Sequence, residues 1–104
     1  MQAQSDANEN SAPGLNATAR WSVVAVTAMG GYRIRVQFAD GITGEADLSR
    51  LIFSDDAGVF QHLRDPLVFA EPYVEHGAVT WPGGVDLAPE AMHHAIVAEG
   101  LWIP

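Results

Sequence analysis

"YRIRVQFADGITGEADL", residues 32–48, is the stretch on which the fold turns. Tyr32, Ile34, Val36 and Phe38 alternate with Arg33, Arg35 and Gln37, the period of two that a half-buried strand requires. The way the chain returns can be tested at "ADG". A two-residue loop at Asp40 and Gly41 would set Val36 against Glu45 and Ile34 against Asp47, mixing apolar and charged partners on one face. A three-residue loop, Ala39 to Gly41 with Gly41 left-handed, sets Phe38 opposite Ile42, Ile34 opposite Ala46 and Tyr32 opposite Leu48. That register sorts both faces and is the one expected. It also sets Arg35 opposite Glu45 and Arg33 opposite Asp47, exposed pairs worth about a few tenths of a kcal/mol each.

Upstream, Trp21, Val23, Ala25 and Thr27 alternate with Ser22, Val24 and Val26 before a Gly-Gly turn, which completes a three-stranded antiparallel meander. Downstream, "DLSRLIF" suits a short helical turn. "SDDAGVFQHLRD" predicts a helix from about Asp56 to Leu63, with Ser54, Asp55 and Asp56 as N-cap residues and Asp65-Pro66 as its end. "LVFAEPYVEHGAVTW" reads as two strands joined at His76-Gly77, with Val74 opposite Val79 and Pro72 opposite Trp81. Pro72 cannot donate to a ladder, so its strand belongs at an edge. A last helix runs from Pro89 to Glu99, with Ala91, Met92, Ala95 and Ile96 as its apolar stripe and Gly100 as its stop. The expected fold is α+β: a meander, a short helix, a second hairpin and a C-terminal helix.

The 104 residues suffice for one domain. Residues 1–19 hold Gln, Asn, Ser, Ala, Pro and Gly, with Leu15 the only large apolar residue besides Met1, and read as a disordered tail, leaving 20–104 as a single α+β domain. Thirteen acids against five arginines and no lysine give a net charge of −8, which repels phosphate and disfavours unaided nucleic-acid binding. There is no cysteine, hence no disulfide, thiol nucleophile or thiolate metal site. No run approaches the roughly 20 apolar residues that cross a bilayer, and the N-terminus has no signal-peptide pattern. A cytoplasmic protein without membrane contact is expected.

The candidate sites meet plain structural explanations. His93 and His94 are neighbours on a helix and diverge by about 100°, so they cannot readily chelate one ion; Glu90 and His94 have i, i+4 spacing but lack a third ligand. Asp55-Asp56 and Asp86 with Glu90 stand at helix starts, where acids offset the helix dipole. No nucleophile elbow or phosphate loop is present. Hence no catalytic residue, cofactor or metal ligand is assigned. In "TWPGGVDLAPE", residues 80–90, Trp81 is expected in the core, Gly83 and Gly84 in a turn, Asp86 bonded to freed backbone amides, and Pro89-Glu90 at the helix start, with both histidines on the polar side. Val24 and Val26 on the second face of the meander, with Leu101, Trp102 and Ile103 after the last helix, form a candidate interaction surface.

Trp81, Pro82, Gly84, Asp86, Leu87, Pro89 and Glu90, with Asp40-Gly41, Asp47-Leu48, Phe60, Leu63 and Asp65 in support, give the chain a strong resemblance to the small bacterial domain of unknown function 2442 family. The resemblance spans roughly residues 21–97. It implies an α+β domain similar to the N-terminal domain of a nitrifying-bacterium protein that continues into a helix-turn-helix. It also implies genes encoded beside another small protein, an arrangement resembling toxin–antitoxin pairs. No catalytic residues come with it.

The expected function is a non-enzymatic interaction or regulatory module, antitoxin-like, acting on a protein partner or a second copy. One alternative is a small-ligand binder or enzyme using a cleft near Trp81, Asp86, Glu90 and His94. Another is a transcription-associated nucleic-acid accessory domain using Arg33 and Arg35.

Overall fold

The computed structural model describes residues 19–104, so the expectation of a tail over residues 1–19 lies almost wholly outside the described residues. The meander consists of β1 (Val23–Met29), β2 (Arg33–Phe38) and β3 (Thr43–Asp47). Its second turn follows the three-residue solution: Gly41 has φ 89°, and Phe38 N–H donates to the Ile42 carbonyl at 2.8 Å. The ladder pairs Ile34 with Ala46 and Arg35 with Glu45. One face of β2 is therefore wholly buried (Ile34, Val36, Phe38) and the other exposed.

Strand β1 departs from the simple alternation. A bulge between Val23 and Ala25 makes two residues of β1 oppose one of β2, with Val23 opposite Phe38 and Ala25 opposite Gln37. Such an extra residue reverses the side-chain alternation beyond it. Val26 and Ala28 consequently turn to the core face opposite Val36 and Ile34. Val24 is the residue thrown outward, 52% exposed. Val24 and Val26 thus do not share the second face, a correction to the sequence reading that only the bulge explains.

After β3 comes a short helix α1 (Ser49–Ile52), as "DLSRLIF" suggested. The helix expected over Asp56–Leu63 is instead a 3-10 segment, Gly58–Arg64, and Gly58 at its start has φ 57°, outside the α-helical region. Asp65-Pro66 does not merely end it. The Asp65 carboxylate accepts from Leu67 N–H at 2.9 Å and caps a new helix α2 (Pro66–Phe69), where the sequence suggested a strand.

The second hairpin is β4 (Tyr73–Glu75) and β5 (Ala78–Trp81), joined at His76 and Gly77 with φ of 52° and 76°. Positive φ at both loop residues is the turn that suits a two-residue hairpin. Val74 pairs with Val79, while Pro72 stops one residue short of the strand and so does not pair with Trp81. Two elements were not legible in the sequence. Strand β6 (Val85–Asp86) pairs with β5, placing Val85 opposite Trp81 and making the second sheet β4-β5-β6. Strand β7 (Leu101–Trp102) follows α3 (Pro89–Glu99) and runs parallel to β3, completing a sheet of order β1-β2-β3-β7.

One core joins the layers. Ile34, Val36, Phe38 and Ala46 from the four-stranded sheet meet Met92 and Ile96 of α3, Val79 and Trp81 of β5, and Leu48, Ile52, Leu63 and Phe69 of the connecting segments. Helix α3 approaches so closely that a Cβ on Gly44 would overlap the Ile96 side chain. Gly100, at φ 77°, closes α3 by donating to the Ile96 carbonyl at 2.7 Å and directs the chain onto β3. Among the described residues no helix is long and apolar enough to cross a membrane.

Candidate functional site

The stretch from Trp81 to Glu90 is built around a buried indole. Trp81 is fully buried, its N–H donates to the Phe69 carbonyl at 2.9 Å, and its ring lies 5.6 Å from that of Phe69. The strand then turns sharply. Pro82 stands second and Gly83, at φ 101°, third in a turn closed by Gly84 N–H to the Trp81 carbonyl at 3.2 Å, the arrangement of a type II turn. Leu87 is buried and donates to the Val79 carbonyl. Ala88 precedes α3 without a side-chain cap, and Pro89 occupies the first turn. Asp86 departs from the expectation: no described residue donates a hydrogen bond to its carboxylate, and it lies exposed on the outer face of β6.

That outer face is a trough of about 420 Å³. Tyr73 faces Thr80 and Thr80 faces Asp86 in the ladders, so the three form one row across the sheet. Ala78 and Thr80 on the central strand make a low floor, with Tyr73 and Glu75 on one side and Asp86 and Pro89 on the other. Partial burial, with the Glu75 carboxylate adding to it, pushes the Tyr73 phenol above its ordinary pKa. Of the residues proposed for a cleft, only Asp86 lines this trough; Trp81 is beneath the sheet, and Glu90 and His94 are exposed on α3.

The two histidines of α3 part company. His94 is exposed, but His93 turns toward the sheet, its side chain 14% exposed, edge-on to Phe38 at 4.8 Å. Its Nε2 lies 2.8 Å from Asp40 Oδ2 at the β2–β3 turn. That bond, with the amide of Ile42, holds the Asp40 carboxyl below its ordinary pKa. The polar-side assignment of His93 is corrected by this packing. What could have signalled it is the position of His93 one residue after Met92 and three before Ile96, at the border of the buried stripe.

On the outer face of the four-stranded sheet, Glu45 receives both arginines, Arg33 at 3.5 Å and Arg35 at 3.7 Å. Arg33 does not pair with Asp47, its ladder partner. Asp47 instead accepts the backbone N–H of Ser49 at 3.1 Å and its hydroxyl at 2.7 Å, which lowers the Asp47 pKa and starts α1. Trp102, opposite Ala46, packs against the core rather than joining a surface patch; Leu101 and Ile103 are 39% and 45% exposed at the sheet edge. Beneath the β1–β2 turn, Met29, Gly31, Tyr32, Pro66 and Phe69 line a smaller apolar crevice of about 280 Å³. Among the described residues no group of three or more His, Asp or Glu is placed to hold a metal ion.

No curated protein and no solved structure matches the chain. A family model does, over residues 23–98, from the first strand of the meander through the last helix. Its description is "Protein of unknown function (DUF2442)", and by this match, which takes in the Trp81–Glu90 junction, the chain belongs to the DUF2442 family.

Proposed function

We propose that this chain is a non-enzymatic protein-interaction module that engages a protein partner through the outer face of its four-stranded sheet and the β7 edge. The observation that carries this reading is the pairing of a free strand edge with exposed apolar side chains. Strand β7 closes the sheet order on one side, so among the described residues one side of its backbone is open to another strand. Leu101 and Ile103 stand exposed beside it, and Ala25, Thr27, Arg33, Arg35 and Gln37 are exposed across the same sheet. A sheet face left bare by the helices, with charge on its central strands and apolar residues at its β7 end, has the makeup of a recognition surface.

The regulatory form of this reading is an antitoxin-like partner of a small neighbouring protein in a bacterial cytoplasm. It is tested by expressing the tagged chain together with the adjacent reading frames of its source genome. Stoichiometric co-elution is expected for the native sequence and its loss for Leu101→Asp with Ile103→Asp. Both side chains are exposed, and the thermal midpoint of the variant is measured alongside to show that it is folded. Co-elution that survives the double substitution assigns the contact elsewhere and overturns this use of β7.

A further inference from the structure

The trough on the outer face of β4-β5-β6 has a chemistry that the edge of the other sheet does not share. Its small floor residues sit on the central strand and its larger walls on the flanking ones, so it is about two strand spacings wide, roughly 10 Å. That width admits a single extended segment. Its walls carry two carboxylates, Glu75 and Asp86, and none of the five arginines lines it. Arg33 and Arg35 are held by Glu45, and Arg64 donates to the carbonyls of Ile52 and Ser54. His76 is the one basic residue that lines it, its Nε2 3.8 Å from a Glu75 carboxylate oxygen and its side chain 91% exposed. Asp86 takes a hydrogen bond from no described residue.

A second feature concerns the floor. Thr80 is more than nine-tenths buried and lines the trough. Its hydroxyl spends its proton on the Ala78 carbonyl at 3.2 Å, leaving the oxygen's acceptor capacity unused. That spare acceptor capacity, beneath two carboxylates, suits a donor that is also a cation. The Tyr73 ring, 41% exposed at the wall, supplies a face on which a guanidinium can stack.

From these observations we infer that the trough binds an extended, arginine- or lysine-bearing segment of a protein partner, its cationic side chain seated between Tyr73, Thr80 and Asp86. The assignment rests on the reading of the chain as a protein-interaction module, but its test does not involve Leu101 or Ile103. Isotope-labelled full-length chain is titrated, at low salt, with a short synthetic peptide alternating arginine and serine, and amide shifts are followed by NMR. Saturable binding is expected, weakening as salt rises, with shifts centred on residues 73–89. Glu75→Gln with Asp86→Asn removes both charges at nearly constant volume. It should lower affinity about tenfold or more while leaving the rest of the spectrum in place. Absence of saturable binding, shifts scattered over the whole acidic surface, or undiminished binding by the double variant would overturn the assignment. So would spermine binding as tightly at the same residues, since that places the specificity in free polyamines. If the peptide binds while co-elution with the neighbouring product fails, the trough stands and the β7 surface falls; the reverse result sinks only the trough.

Discussion

Trp81 joins three segments at once, through its ring against Phe69, its N–H on the Phe69 carbonyl and its strand pairing with Val85. Trp81→Phe keeps most of the buried area but leaves that carbonyl without its donor in the interior. A loss of about 1–3 kcal/mol, read from chemical denaturation, is expected. The carboxylates give a second prediction. Asp47 in the folded chain holds its proton less tightly than in the unfolded one because Ser49 donates to it twice. Its contribution is therefore present above the unfolded pKa and is lost as pH falls through the lower folded value. Asp47→Asn should destabilise the chain at about pH 7 and approach the native protein's stability only as pH falls through the lowered folded pKa of Asp47. A constant difference across that range would mean the hydrogen bonds do not depend on charge. At this scale the sequence was legible wherever a residue acts alone: Gly41 in its left-handed turn and Trp81 in the core follow from residue type and spacing. His93 was not, because its partner Asp40 is 53 positions away.

Strands with a clean period of two declared themselves, and β2 with β3 formed in the expected register. Elements set by tertiary contact did not. Val85–Asp86 and Leu101–Trp102 are two residues long, too short to show a period, and are strands only because β5 and β3 supply the ladder. The β1 bulge has the same origin, since nothing in "WSVVAVTAM" says where the extra residue falls. Pro66–Phe69 is apolar enough for a strand, but Asp65 ahead of it caps and Pro66 opens a helix, and that pair outweighs the apolar run. The contact that fixes α3 on the sheet is also steric. Gly44 leaves no room for a Cβ beside Ile96, and the Gly100 carbonyl would be 3.0 Å away. Gly44→Ala should cost about 1–3 kcal/mol, with faster hydrogen exchange in α3 and β7 than in β1 and β2. Equal exchange throughout would place the packing constraint elsewhere.

At the scale of the molecule, two sheets share one core and each leaves an outer face open. The faces differ in chemistry: one carries Arg33, Arg35 and Glu45 and ends at Leu101 and Ile103, the other holds Tyr73, Glu75 and Asp86 over a small floor. The net charge of −8 of the whole chain favours basic partners by long-range attraction and disfavours phosphate backbones. The signature stretch Trp81–Glu90, dense with chemistry in the sequence, is mostly architecture: a buried indole, a type II turn, a short strand and a helix start. Asp86 alone among its charged residues is turned into a concavity. That distinction could not be drawn from the sequence, because it depends on β6 pairing with β5. The account's central claim, a module that works bound to another protein, meets its most direct test in the mass of the native-source species in solution. A complex of defined stoichiometry, heavier than the 11.1 kDa chain and reverting to that mass with Leu101→Asp and Ile103→Asp, is the expected result. A single species at 11.1 kDa under native conditions, with the neighbouring products present, would contradict it.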